Sequence, residues 1–160
     1  MRTISLRKVT FDNMDALCHM QVAEAQKNFV AKNISSLAEA YVAITNGGVA
    51  LPFGIYADEE PVGFLMIGYD TLDATDPPIA AHGYCLWRFM IAEEHQRQGY
   101  GREAMRQALD YIRGFPAGEA TQCWLSYEPE NQGAKALYDS FGFRENGEVN
   151  EGELVSVLQL

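Results

Sequence analysis

Basic residues are scarce in this chain. Twelve Lys and Arg stand against 22 Asp and Glu, for a formal charge of −10. Such a balance offers no basic patch to neutralise a phosphate backbone, which argues against a nucleic-acid partner. It suits a cationic partner drawn in by the protein's field, although solubility alone accounts for most of the charge. Cysteine is also sparse: Cys18, Cys85 and Cys123 are odd in number and lack metal-ligand spacing. The expectation is three reduced thiols, no disulfide framework and no metal site. No convincing His–Asp or His–Asn set accompanies a cysteine nucleophile, and His19, His82 and His95 stand isolated. Long apolar runs are missing too; none approaches the ~20 residues of a membrane span. Met1 to Lys8 lack the apolar core of a secretory signal, so the expected location is the cytoplasm, away from the membrane. There is no internal repeat, low-complexity tract or interdomain linker. What remains is a chain of 160 residues, 48% hydrophobic, that reads as one domain over 1–160 with its own core.

The most informative stretch runs from Leu86 to Gly114. Leu86 to Ile91 is a short, mostly apolar run that suits a buried strand. Glu93 to Gln98 is polar and should leave the sheet. Gly99 and Gly101 bracket Tyr100, where the backbone can approach a guest closely or take φ > 0. Ala104, Met105, Ala108, Leu109 and Ile112 then fall on one helical face, with Gly114 and Pro116 as stops. A helix that starts at a Gly-bearing turn presents unpaired N–H groups and a positive dipole end. That makes it a site for an anion such as a pyrophosphate, unless the glycines only shape the turn.

The rest of the chain supplies the frame. Thr3–Thr10 reads as a strand, and Asp12 as the N-cap of a helix running to about Ala31. Ser36 to Glu39 has the form of a capping box before a second helix that ends at Asn46-Gly47-Gly48. Val49–Tyr56 and Pro61–Tyr69 read as strands, with Gly63 marking a bulge or a close backbone contact. Asp70–Gly83 has loop composition, and Ala120–Tyr127 alternates as a strand. Ala134, Leu137, Tyr138 and Phe141 mark a helix ended by Gly142. Phe143–Val149 and Leu154–Leu160 flank the hairpin turn Asn150 to Glu153. The order β-α-α-β-β-β-α-β-α-β-β predicts an α/β domain, a mixed sheet flanked by helices.

Two segments carry a family resemblance. Gln96-Arg97-Gln98-Gly99-Tyr100-Gly101 matches the Arg/Gln-x-x-Gly-x-Gly/Ala pattern of the GCN5-related (GNAT) N-acetyltransferases. Asn131 to Phe143 resembles that family's second signature, Asn…Ala…Leu-Tyr…Gly-Phe. The resemblance covers nearly the whole chain, has the family's element order, and is strongest toward the bacterial spermine/spermidine (diamine) acetyltransferases. It implies acetyl-CoA as co-substrate and direct attack by a small primary amine in a ternary complex. It further implies that the central strand splays from its neighbour, so that main-chain groups of Phe89, Met90 and Ile91 hold the pantetheine arm. In this reading the N–H of Met90 or Ile91 polarises the acetyl carbonyl. Gln96, Arg97, Gln98, Gly99, Tyr100, Gly101 and Arg102 cradle the pyrophosphate. Asn131 bonds the pantetheine arm or simply caps its helix. Tyr138 contacts the cofactor and protonates the departing thiolate, or packs as a core tyrosine. The acceptor is expected near the first two helices, beside Glu24, Gln26, Phe29 and Tyr41. A homodimer is expected from the same resemblance.

One departure concerns the acceptor. Some polyamine acetyltransferases carry a carboxylate on the central strand one or two residues before the position of Phe89; here Trp87 and Arg88 stand there. The carboxylate must come from elsewhere, among Glu93, Glu94, Glu128 and Glu130, or act through water. Trp87 can offer an ammonium a cation–π contact, and Glu128 is the acidic residue placed in the acceptor set. Polyamines such as spermidine or spermine are the first expectation for the acceptor, other small amines the second. A noncatalytic acyl-CoA-binding regulator is the alternative outside enzymes, disfavoured by the presence of both Asn131 and Tyr138.

Overall fold

The computed structural model describes residues 1–71 and 73–160. Among these residues seven strands form one sheet: β1 (Ile4–Lys8), β2 (Val49–Ala57), β3 (Glu60–Tyr69), β4 (Tyr84–Ile91), β5 (Gln122–Tyr127), β6 (Arg144–Asn150) and β7 (Glu153–Gln159). The spatial order is β1-β2-β3-β4-β5-β7-β6. Neighbours are antiparallel except β4 and β5, which are parallel and joined through a helix. Among the described residues four α-helices cover the sheet: α1 (Met14–His19), α2 (Asn33–Thr45), α3 (Tyr100–Arg113) and α4 (Gln132–Ser140). None among the described residues is long and apolar enough to cross a membrane.

Strand alternation divides the apolar residues between two layers. Leu65, Ile67, Tyr84 and Leu86 meet Ala104, Met105, Ala108, Leu109 and Ile112 of α3 and Tyr138 of α4. Phe64, Met66 and Met90 point the other way, onto Val22 and the α2 residues Leu37, Ala40 and Ala43. Leu109 is almost fully buried, so Leu109→Ala would cost about 2–5 kcal/mol. The expected irregularity at Gly63 is present. The β2–β3 register shifts beside it, and a Cβ on Gly63 would collide with the Met90 carbonyl oxygen. At the expected hairpin, Glu151 and Gly152 both take positive φ (49° and 88°), the conformation of a type I′ turn.

Three local expectations fail. The single helix from Asp12 to about Ala31 is broken: α1 ends at His19, and Met20 is extended at φ −62°, ψ 141°. Only a short 3₁₀ turn at Glu24–Gln26 follows. Tertiary contacts override the helical pattern here. Val22 is buried against the α2-side core, and the Gln21 carbonyl accepts from the Glu93 N–H at 2.9 Å. The segment thus becomes a strap across the end of β4. Asp12 does not cap α1; Asn13 holds the N-cap position, and its Oδ1 accepts from the Thr10 N–H at 2.8 Å. The capping box also fails, because α2 starts a turn earlier, at Asn33. Asn33 is buried and its Nδ2 donates to the Leu17 carbonyl at 2.8 Å. Ser36 lies fully buried inside the first turn, and Glu39 turns toward β4.

Candidate active site

The parallel pairing of β4 and β5 is brief. It is limited to Tyr84 with Cys123 and Cys85 with Trp124, after which the strands diverge. β4 continues on its other edge against β3 as far as Ile91 paired with Gly63. The gap opens a cleft of about 1590 Å³ through the sheet. Main-chain alternation decides which groups face it. Ala92 N–H bonds the Val62 carbonyl at 2.9 Å, so two residues earlier Met90 also directs its N–H and C=O toward β3. Phe89 and Ile91 are the residues whose main-chain groups face the gap, and the Ile91 carbonyl is already bonded by Gln96 Nε2 at 2.9 Å. Of the two N–H groups expected to polarise a carbonyl, the geometry therefore leaves Ile91 and turns Met90 away.

A bulge re-aims the strand at the same level. The β3–β4 register slips so that Met66 pairs with Arg88 and Ile67 with Leu86, leaving Trp87 as the extra residue. Trp87 packs with the α2-side clusters. Arg88 also reaches α2, where its Nη2 bonds both carboxylate oxygens of Glu39 at 3.2 and 3.0 Å. Both side chains thereby line the same half of the cleft. The Arg88 guanidinium lies 6.0 Å from the centre of the Trp87 ring.

The Gly-bearing turn closes one end. Arg97 and Gly99 both have positive φ (61° and 83°), a backbone that makes successive N–H groups converge. Glu103 N–H bonds the Gly99 carbonyl, but N–H groups from Gln98 to Arg102 have no backbone acceptor among the described residues. Gly99 occupies the N-cap of α3. A Cβ on Gly101 would make only ordinary contacts, 3.7 Å to Ile91 and 3.8 Å to Phe89, so no protein neighbour demands glycine there. Free donors and space left over by glycine fit the pyrophosphate of acetyl-CoA, and the free edge of β4 beside them fits its extended arm. The Gln96 side chain is spent on the fold, donating to Gln26 Oε1 at 2.7 Å as well as to Ile91. It fixes the turn to the strap.

Across the gap, Asn131 caps α4: its Oδ1 accepts from the Ala134 N–H at 3.2 Å, which leaves the Nδ2 donors unused by the cap. Tyr138 sits on the buried face of α4, its ring 5.9 Å from that of Tyr127 and 6.1 Å from that of Phe143. Burial, then the charge of Glu153 and the neighbouring Tyr127, push its phenol well above the usual tyrosine range. At neutral pH it is fully protonated, as a proton donor must be.

Phe29, Trp87, Phe89, Met90, Ile91, Gln96, Arg97, Gly99, Tyr100, Gly101, Asn131 and Tyr138 all line this one cleft. Glu24, Tyr41, Gln98, Arg102 and Glu128 lie off its wall. The break after α1 puts Glu24 in an exposed turn paired with Lys27. Tyr41 is 70% exposed, because α2 turns Ala38, Glu39, Val42 and Ala43 to the cleft instead. Arg102 stacks outside, 5.6 Å from the Phe141 ring centre. The carboxylates on the wall are others: Glu39, Asp70, Asp73, Asp76, Glu151 and Glu153. Burial raises the pKa of Asp76 above the usual carboxylate value. The acidic loop composition of 70–76 was a signal for three of these; nothing local marked Glu39, which resembled a cap, or Glu153, which resembled a turn residue.

Residues 14–143 match the profile described as the acetyltransferase (GNAT) family. The chain belongs to that family. It is 28% identical over 162 residues to the spermine/spermidine N(1)-acetyltransferase of Bacillus subtilis (strain 168), covering 99% of both chains. Its fold is similar to that of the Vibrio cholerae spermidine N-acetyltransferase in complex with CoA and spermine. The TM-score is 0.71 at 18% identity, over 98% of this chain and 95% of the other. It is similar too to the PaiA N-acetyltransferase from Thermoplasma acidophilum in complex with coenzyme A, with a TM-score of 0.69 at 14% identity over 99% of each chain. This GNAT acetyltransferase is an acyltransferase, and acetyl-CoA is its co-substrate.

Proposed function

We propose that this acetyltransferase moves the acetyl group to a primary amine of a small polycation, with spermidine or spermine as the acceptor, by direct attack in a ternary complex. The observation that carries the reading is the asymmetry of the cleft. One half holds the free β4 edge, the turn donors, Asn131 and Tyr138; the other is walled by Glu39, Asp70, Asp73, Asp76, Glu151 and Glu153, with Arg88 already neutralised by Glu39. An elongated ligand with several ammonium groups matches that wall in charge, and Trp87 adds an aromatic face. The relatives named above support the same acceptor.

Acetyl-CoA supplies a thioester carbonyl open to attack and a thiolate leaving group. In the proposed site, Phe89 and the N–H of Ile91 orient the arm, and that N–H also donates to the oxyanion that develops on the carbonyl. The free N–H groups of Gly99, Tyr100 and Gly101 hold the pyrophosphate, with Arg97 adding charge. Tyr138 gives its proton to the sulfur. A homodimer in the cytoplasm completes the proposal.

Initial-rate release of coenzyme A thiol, measured with acetyl-CoA against a panel of polyamines, monoamines, amino sugars and amino acids, tests the acceptor. Spermidine or spermine should give the highest kcat/KM, and added salt should lower it as the acidic wall is screened. Turnover confined to neutral or anionic acceptors would refute the polyamine reading.

A further inference from the structure

The amine reaches the site as an ammonium, and β4 has no carboxylate to take its proton. We infer that Glu153, at the start of β7, is the group that receives the proton from the attacking nitrogen; this rests on the amine-acetyltransferase reading above. Three observations place it. First, Glu153 lies two residues before Val155 on the strand face that turns Val155 and Trp124 to the α2 side, so it faces the acceptor half of the cleft, which it lines. Second, the Ser126 hydroxyl donates to Glu153 Oε2 at 2.6 Å. Ser126 stands on β5 just beyond the point where β4–β5 pairing stops. The carboxylate is therefore fixed on a rigid strand beside the gap, and its Oε1 is left open. Third, its charge is felt on both sides of that gap, at Cys85 of β4 and at Tyr138 of α4.

The other carboxylates on the wall lie on α2 or in loops, none on a strand beside the gap. Glu39 is paired with Arg88. Asp70 Oδ1 accepts from the His82 N–H at 2.7 Å. Asp73 Oδ1 accepts from the N–H and hydroxyl of Thr75, and Asp76 Oδ2 from the Asp73 N–H. Glu151 sits exposed at the hairpin tip.

The step balances. The Glu153 carboxylate takes one proton from R–NH₃⁺, and the freed lone pair forms the C–N bond to the acetyl carbon. The C–S bond breaks with its electron pair on sulfur, which takes the Tyr138 proton. The second nitrogen proton returns to the Tyr138 oxygen, and the Glu153 proton passes to water. One proton is released per acetyl transferred.

The test is the pH profile of kcat/KM for spermidine between pH 7 and 9, in the wild type and in Glu153→Gln, Glu153→Asp and Asp76→Asn. An enzyme with its own base uses the abundant ammonium, so the wild-type profile is nearly flat. Without the base the enzyme must capture the neutral amine from solution. At pH 7 that form is roughly one part in 10³ for an alkylamine of pKa about 10.4. Glu153→Gln should then lose ~10³-fold at pH 7 and recover roughly tenfold per pH unit. Glu153→Asp keeps a carboxylate and should stay flat at a lower level. Acetyl-CoA should raise the melting temperature of all three variants as in the wild type, which separates this role from a folding defect. A wild-type-shaped profile in Glu153→Gln overturns the assignment, as does a rise in Asp76→Asn instead. If Glu153→Gln does not fold, a rising profile in Glu153→Asp likewise overturns it. A wild type that acetylates no amine refutes the function itself, before the variants are compared.

Discussion

Gly101→Ala should move two measurable quantities in opposite directions. Gly101 is in the first turn of α3, with unexceptional φ and only ordinary contacts awaiting a Cβ, at 3.7 Å and beyond. Alanine is better than glycine in a helix by about 0.8–1 kcal/mol. For a domain of this size 1 kcal/mol is worth about 2–4 °C, so the free protein should melt about 2–4 °C higher. The new methyl group, however, occupies the cleft wall beside the unpaired N–H groups. At a concentration of about 100 Kd, acetyl-CoA stabilises the wild type by ~2.7 kcal/mol, roughly 5–11 °C. A tenfold loss of affinity would roughly halve that shift. The assay is thermal unfolding with and without acetyl-CoA at one fixed concentration. A variant that melts higher and keeps the full ligand shift would refute the placement of the pyrophosphate. Gly99→Ala gives the contrast: at φ +83° any side chain is strained by about 1–2 kcal/mol, so the free protein should melt lower.

Three further outcomes follow from the same geometry. Tyr138→Phe keeps the packing against Tyr127 and Phe143 but removes the proton donor, so turnover should fall ~10²–10⁴-fold while the acetyl-CoA thermal shift is unchanged; wild-type turnover would leave Tyr138 a core residue only. Glu39→Gln frees the charge of Arg88 in the acceptor half, and the KM for spermidine should rise about tenfold or more with little change in acetyl-CoA binding, as read by steady-state kinetics. Glu103, bonded by Arg106 and Gln107, has its pKa lowered to about 2. A depressed carboxylate stabilises above its unfolded pKa and loses that contribution as pH falls from ~4.5 through about 2. After screening at this exposed site, Glu103→Gln should cost at most about 0.5 kcal/mol near neutrality, and urea titrations of the two proteins should converge at low pH.

Much of this was legible in the residues. The Leu86–Gly114 unit carried its own evidence: an apolar run, Gly99 and Gly101, then α3 residues at helical spacing, each obeying a local rule. The Glu151-Gly152 turn was equally local. Failures arose where distant contacts outweigh local preference. Residues 12–31 carry a helical pattern, yet burial of Val22 and the Gln21–Glu93 hydrogen bond extend the chain after His19. Ser36 and Glu39 had the spacing of a capping box, but the helix began at Asn33, whose partner, the Leu17 carbonyl, is 16 residues away. The cofactor half of the site was readable because main-chain geometry encoded by glycine builds it. The acceptor half was not: its carboxylates come from α2, the 70–76 segment and the β6–β7 hairpin, and only the β4 bulge and the β4–β5 gap bring them together.

Transfer of an acetyl group to a polyamine is the reaction proposed for this cleft. Its most direct test is to incubate the protein with acetyl-CoA and spermidine, identify the amine product by mass spectrometry and titrate the free thiol in the same sample. The expected product is spermidine carrying one acetyl group on a primary amine, formed in equal amount to coenzyme A. Thiol release without acetylated spermidine, or no thiol release at all from protein shown to bind acetyl-CoA, would contradict it.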